Sequence, residues 1–284
     1  MNILSIQSSV VFGHVGNSAA VFCLQRLGHE AWPMHTVQLS SHTGFDGWRG
    51  QRFAADHLTD LADGLHLSGL LGGCDALLSG YLGDAGLGAA VLDILGRLRA
   101  IRPDAFYCCD PVMGDDGRGL FVGPDLPAFF AARAIPAADL ATPNRFELAQ
   151  LTGLPAHGLD ECLAAAAVLR AAGPRLVAVT SLGEPALPAG RIGSLLTTAD
   201  GAWLVDTPKL AFRRSPAGAG DLFTAHLLGS LLSGLAPPTA LERAVNAVFR
   251  VLELTVDGDE IALVGAQAAL ADPPAIYRAE AVSG

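Results

Sequence analysis

The stretch with the clearest chemical character is a glycine-rich turn at residues 215–221, where Gly218 and Gly220 precede Asp221 and an apolar run begins. Glycine lets the backbone come close to a bound group and adopt positive φ without the penalty that a Cβ imposes. The apolar run predicts a helix over residues 219–233. The first amides of such a helix have no partner within it, and with the helix dipole they attract an anion. Gly218, Ala219 and Gly220 are therefore a candidate anion hole. An acid placed there would repel a phosphate. Asp221 makes chemical sense as a base that takes a proton from an attacking hydroxyl while the amides hold the transferring phosphoryl group. The plainer reading is an acid in the first turn of an ordinary helix, and the motif alone does not choose between the two.

Other polar residues fall where strands are predicted to end. Asp110 follows directly on a buried strand and is fixed by Pro111, a position suited to a metal ion or a phosphate-linked water. Glu147 falls in the first turn of a helix expected to begin with Thr142 as N-cap and Pro143 as first residue. It reads either as an acid complementing the helix dipole or as a second carboxylate facing Asp110 across a magnesium ion. Ser8 follows the first strand. His42 and Thr43 belong to a polar stretch, residues 39–44, that follows the second. Tyr81 stands just past a further strand, where its ring could stack on a flat ligand or cap the core. Thr180 and Ser181 close a later one. Residues 114–119 read as a mobile acidic loop able to cover a site. Lys209, the only lysine in the chain, forms a basic patch with Arg213 and Arg214 ahead of the glycine-rich turn.

The elements that must position these residues alternate. Strands are expected at residues 2–6, 32–38, 75–79, 105–109, 139–142 and 176–180. Between and around them, helices are expected at 18–27, 54–65, 85–100, 126–134, from Pro143 onward, and at 160–172. A hairpin over 192–206 and helices at 219–233, 239–254 and 260–271 complete the chain. Such alternation predicts an α/β fold, a mostly parallel sheet flanked by helices on both faces, in a single domain over residues 1–284. In open sheets of this kind ligands bind beyond the carboxyl ends of the strands. Ser8, Thr43, Tyr81, Asp110, Thr142, Thr180 and Asp221 would then share one rim and one site.

Composition narrows the function classes. A hydrophobic content of 51% supports a sizeable core, and a formal charge of −10 argues against a broad nucleic-acid-binding face. An anionic substrate would need local amides, arginines or a metal. No apolar run approaches the roughly 18 residues of a membrane span. The first residues lack a basic region and read as a strand rather than a signal peptide, so a cytoplasmic protein is expected. Five cysteines without a CxxC pair suggest reduced thiols and no zinc site. Gly13 and Gly16 do not complete a dinucleotide fingerprint, and no P-loop motif is present.

Taken together and in order, the motifs resemble the pyridoxal kinase family of the ribokinase-like fold. The resemblance rests on Ser5-Ile6-Gln7-Ser8 with Gly13-His14-Val15-Gly16-Asn17, on Thr36-Val37-Gln38 with His42-Thr43-Gly44, and on Gly80-Tyr81. It continues through Asp110-Pro111-Val112-Met113-Gly114-Asp115, Thr142-Pro143-Asn144 with Glu147, and Thr180-Ser181, to Gly218-Ala219-Gly220-Asp221. The first two groups are the most specific. Related sugar kinases carry Gly-Gly near the first strand, and hydroxymethylpyrimidine kinases open with a Gly-Gly-Asp-Pro type motif, where this chain has Gln7-Ser8-Ser9-Val10.

The resemblance implies transfer of the ATP γ-phosphoryl group to the 5′-hydroxyl of pyridoxal in vitamin B6 salvage. Asp221 would be the base. Ser8 would contact the pyridine nitrogen, with Val15, His42, Thr43 and Tyr81 lining the ring pocket. Asp110, Asp115, Thr142, Asn144, Glu147, Thr180, Ser181, Arg213 and Arg214 would serve ATP. Magnesium would be held by Asp110 and Glu147 through water, and a monovalent cation such as K⁺ by Asp110, Thr142 and Thr180. A homodimer is implied, with no nucleic-acid or membrane partner. Three departures stand out. Ser9 replaces a common histidine, and Leu120 stands where some bacterial members carry a substrate-trapping cysteine. Thr180-Ser181 stands where a bacterial subgroup has a lysine near the nucleotide. The alternatives are a hydroxymethylpyrimidine kinase on the same fold and a non-catalytic pyridoxal-binding protein.

Overall fold

The first strand, β1 (Asn2–Val10), is buried along nearly its whole length, as a strand inside a parallel sheet covered on both faces must be. The computed structural model describes residues 1–213, 216–255 and 260–283. After β1 come α1 (Asn17–Arg26), β2 (Glu30–Leu39), β3 (Gly50–Arg52), α2 (Ala55–Leu67), β4 (Ala76–Ser79), α3 (Ala85–Ile101) and β5 (Phe106–Cys109). A small ladder of β6 (Gly114–Asp115) and β7 (Gly119–Leu120) precedes α4 (Asp125–Phe129) and α5 (Ile135–Ala137), which are joined by a π-helical turn. The chain continues with β8 (Leu140–Ala141), α6 (Arg145–Thr152), α7 (Leu159–Ala172), β9 (Leu176–Leu182), β10 (Arg191–Thr197) and β11 (Ala202–Pro208). It ends with α8 (Ala219–Leu232), α9 (Pro237–Thr255), α10 (Gln267–Ala271) and β12 (Glu280–Val282).

One ten-stranded sheet runs β12-β11-β10-β9-β8-β5-β4-β1-β2-β3. From β9 across to β2 all neighbours are parallel, whereas β3 and the β10–β12 side pair antiparallel. The expected α/β class is therefore observed. Alternation along each strand divides the core in two. Ile3, Leu78 and Cys108 face α1, α8 and α9, whereas Leu4, Leu77 and Cys109 face α2, α3 and α7. All five cysteines are buried and unpaired. α8 is apolar almost all round and buried from Leu222 to Ser230, which is the pattern of a helix enclosed by neighbours.

Several local expectations are corrected. The helix expected from Pro143 begins at Arg145, with Asn144 rather than Thr142 as its N-cap. Residues 114–119 are not an open loop but the turn and strands of the β6–β7 hairpin. The helix expected over 260–271 is confined to Gln267–Ala271. The edge strands β3 and β12 were not foreseen, because each is only three residues long and mostly exposed.

Candidate active site

The carboxyl ends of the parallel strands open into one cleft of about 1390 Å³, larger than a single small-ligand pocket of roughly 300–1,000 Å³. Strand order arranges its residues along the rim. Thr43 follows β2, Ser8 lies in β1, Tyr81 follows β4, Asp110 follows β5, Thr142 follows β8, and Thr180 lies in β9. All six line the cleft, as do Val15, His42, Asp115, Asn144, Glu147, Ser181 and the turn Gly218-Ala219-Gly220-Asp221. Arg213 is not among the lining residues, and Arg214 lies outside the described residues.

Asp221 is the third residue of α8, and Gly218 is its N-cap at φ +93°. Burial raises the Asp221 pKa to about 6, and the nearby Gly16 amide opposes the rise. Gly16 in turn caps α1, and a Cβ there would lie 2.4 Å from Ser8 Oγ. Asp221 therefore stands beside the end of β1. On its other side is Asp110, whose pKa is pushed well up by burial and then by the nearby Glu147 and Asp221 charges. Thr224, one turn after Asp221, joins these elements. Its hydroxyl lies 2.9 Å from Thr142 Oγ1 and 3.3 Å from Asp110 Oδ2. Thr224 was missed from sequence, although its i+3 spacing from Asp221 puts both on one helix face.

Glu147 is the capping acid that its sequence position suggested. It completes a capping box with Asn144, each side chain accepting from the other's amide at 2.9 Å. Its second oxygen accepts from the Met113 and Gly114 amides at 2.9 and 3.4 Å. The buried carboxylate thus ties the base of the β6–β7 hairpin to the start of α6, while burial raises its pKa to about 7. Asn144 adds a bond to the Gly114 carbonyl at 2.8 Å. Farther out, Asp115 pairs with Arg118 and Asp116 with Arg145, each at 2.6 Å. Glutamine at 147 has one acceptor oxygen where the carboxylate has two. Glu147→Gln is therefore expected to raise hydrogen exchange of the Met113 and Gly114 amides about tenfold, the equivalent of one typical hydrogen bond. Unchanged exchange would show that the carboxylate does not hold the hairpin.

The β1 end of the cleft has a different character. The pairing of β1 with β2 shifts register between Gln7 and Ser9, and such a bulge re-aims the residue within it, here Ser8. Thr36 holds the Tyr81 carbonyl at 2.6 Å. Val10, Val15, Val37, Leu39 and Trp48 supply apolar walls. His42 Nδ1 accepts from the Gly44 amide at 3.1 Å, so the ring proton is on Nε2. At the other end, Ser181 has φ +63°, a left-handed conformation uncommon for a non-glycine residue and often found at sites. Arg118, Arg145, Arg191 and Lys209 bring positive charge there, among the carboxylates of Asp110, Asp115, Asp116, Glu147 and Glu184.

The three buried acids fix a pH dependence. A carboxyl whose native pKa is raised binds its proton more tightly folded than unfolded, so stability falls as pH rises through that range. His29, His35 and His226 have lowered pKa values through burial and oppose this trend below their unfolded value of 6.5. Above it Glu147, raised to about 7, still titrates. The Tm of the nucleotide-free protein is expected to fall between about pH 6.5 and 8, and Glu147→Gln to flatten that slope. A flat or rising wild-type profile would contradict the assignment.

With this geometry in place, the chain can be compared with known proteins. A family model described as phosphomethylpyrimidine kinase matches residues 72–262. The pyridoxal kinase PdxY of Deinococcus radiodurans is 48% identical over 99% of this chain and 96% of its own. That of Rubrobacter xylanophilus is 50% identical over 96% of this chain and 95% of its own. Among solved structures, pyridoxal kinase from Leishmania donovani in complex with ADP and pyridoxamine superposes with a TM-score of 0.92 at 26% identity, covering 99% of both chains. The family model begins after the segment carrying Ser8, Val15, His42 and Thr43, whereas the two bacterial relatives match nearly the whole chain.

Proposed function

The chain belongs to the pyridoxal kinase family, and from that premise we propose that it transfers the γ-phosphoryl group of ATP to the 5′-hydroxyl of pyridoxal, the salvage step that yields pyridoxal 5′-phosphate. The observation that carries this reading is the place of Asp221, in one cleft with the apolar, Ser8-containing end and the charged, carboxylate-lined end. The ring lies against Ser8, Val15, His42, Thr43 and Tyr81. The nucleotide lies toward Asp115, Asn144, Thr180 and Ser181, with Lys209 and Arg145 near its phosphates. Asp221 takes the hydroxyl proton, and the amides of the 218–220 turn receive the transferring group. Phosphoryl transfer needs in-line positioning and neutralisation of charge more than covalent help. The β6–β7 hairpin excludes water that would compete as acceptor.

Magnesium accompanying ATP would supply positive charge that offsets that of the phosphates. Asp110 fits this role, being a buried carboxylate raised in pKa by neighbouring acids and supported by threonine hydroxyls. No group of three or more His, Cys, Asp or Glu side chains among the described residues is placed to hold a metal. One or two carboxylates with substrate phosphates are the usual magnesium arrangement. Glu147 already accepts three amides and would act through water. Asp110, Thr142 and Thr180 are the donors for a monovalent cation. Arg213 and Arg214 are candidates for the ATP phosphates from the family resemblance alone. We read the chain as one catalytic domain. A cytoplasmic location follows from its need for ATP, and no helix among the described residues is long and apolar enough to cross a membrane. A homodimer is proposed from the family resemblance.

A coupled ATPase assay tests this reading, with pyridoxal, pyridoxine, pyridoxamine and hydroxymethylpyrimidine compared at equal concentration with magnesium and potassium. Turnover of B6 vitamers is expected. Turnover with the pyrimidine alone would keep Asp221 as base and discard the ring assignment. Tight pyridoxal binding without turnover would replace the kinase by a binding protein.

A further inference from the structure

Glu260 lies outside every motif considered so far, yet its carboxylate touches two of the loops that frame the ring end of the cleft. Oε2 accepts from the His14 amide at 3.2 Å, and Oε1 lies 3.1 Å from His42 Nε2. A Cβ on Gly13 would lie 2.4 Å from Oε2, so a side chain at 13 would displace the carboxylate. The next residue, Ile261, is 2% exposed, and its Cδ1 would lie 3.2 Å from a Cβ on Gly218. Just beyond, the Ala262 amide donates to Thr255 Oγ1 at 2.8 Å, which anchors the segment to the end of α9. One short segment thereby meets the β1–α1 loop, the loop after β2 and the turn before α8.

The consequence for His42 is specific. Nδ1 accepts from Gly44 and Nε2 faces Glu260. Neither nitrogen is available to a substrate unless one of these contacts breaks. His42 lines the cleft through its carbon edge, packed against Phe45 at 4.6 Å between ring centroids. We infer that Glu260 is a positioning residue for substrate recognition, which fixes His42, and with it the adjoining Thr43 wall, against the β1–α1 loop. Glu260 is not among the cleft-lining residues, so it acts through His42 rather than on the substrate. The inference rests on the proposed assignment of this end of the cleft to the pyridoxal ring.

Glu260→Gln provides a nearly isosteric test. The carboxylate accepts from the His14 amide through Oε2 and sets its buried Oε1, which has no aligned hydrogen-bond partner among the described residues, 3.1 Å from His42 Nε2. The amide offers one acceptor and sets an NH₂ against the other donor. With wild-type turnover of pyridoxal established first, Glu260→Gln is expected to raise KM for pyridoxal about tenfold, the equivalent of one lost hydrogen bond of ordinary strength, while KM for ATP stays within about twofold. In a double-mutant cycle with His42→Phe, the effect of Glu260→Gln on pyridoxal KM is expected to shrink to less than about threefold. An unchanged pyridoxal KM, an equal rise in both KM values, or additive effects in the cycle would overturn the inference. Should Glu260→Gln fold poorly by its Tm, Glu260→Asp, which is one methylene too short to reach both partners, is read by the same split. Absence of wild-type turnover would instead refute the kinase reading.

Discussion

Asp221→Asn is expected to lower kcat by about 10²- to 10⁴-fold, the range that positioned general bases contribute, with ATP affinity within a few-fold of wild type. Asparagine keeps the shape of the side chain and an oxygen that can face the Gly16 amide as the carboxylate does. The fold should therefore survive and only proton acceptance be lost. The pH dependence separates this role from simple positioning. The native pKa of Asp221 is raised to about 6 by burial, and the base works only when ionised. Wild-type kcat/KM should rise with pH along an acid limb at or below that value, since bound cations favour the ionised form. The residual activity of the variant should lack that limb. Near-normal turnover in Asp221→Asn would remove the proposed base and leave the anion hole without a catalytic partner.

Gly218→Ala should be comparably damaging, for a steric reason. A Cβ at this position would lie 1.8 Å from the His14 carbonyl oxygen, and the backbone is at φ +93°. Neither the contact nor the conformation can be accepted, so the turn or the β1–α1 loop must move and carry the anion-hole amides with it. Loss of a single such donor costs about 10²- to 10³-fold in kcat, and a non-glycine residue at positive φ adds about 1–3 kcal/mol of strain. Gly220 offers an internal comparison. It lies within the first turn of α8, and among the described residues a Cβ there meets no atom within 4 Å beyond its own helix backbone and chain neighbours. Gly220→Ala should keep the wild-type Tm, while Gly218→Ala should lower it by several degrees, on the scale of about 4 °C or less per kcal/mol for a chain of this size. Equal Tm values for the two variants would show that the His14 contact does not constrain the turn.

The two arguments explain why His14, Gly16, Gly218 and Asp221 behave as one unit. The Asp221 side chain lies near the cap of α1, and the cap of α8 packs on the loop that leads to α1. Two helix N-termini, at opposite ends of the sequence, thus converge on one point. Their amides and dipoles favour negative charge there, which is why a buried carboxylate and a phosphoryl group can share the region.

Much of this was legible in the residues themselves. Strand–helix alternation gave the α/β class because buried parallel strands must be continuously apolar and their crossovers must be helical. Polar residues at predicted strand ends, from Ser8 to Thr180, identified one rim, since backbone geometry alone brings the carboxyl ends of parallel strands to the same edge. The glycine-rich turn before Asp221 announced its chemistry because glycine spacing and helix starts are local properties of the chain. What the tertiary structure decided is what depends on partners distant in sequence. Glu147 could be a cap, a metal neighbour or both, and only the Met113 and Gly114 amides showed that it also holds the hairpin. Thr142 was taken for a helix cap, yet its hydroxyl faces Thr224, 82 residues away. Glu260 carried no signal at all, because its partner His14 lies 246 residues away. Local patterns determine elements and the residue types at their ends. Which side chains meet across the cleft is set by packing on both faces of the sheet, and a single sequence does not encode that in any spacing.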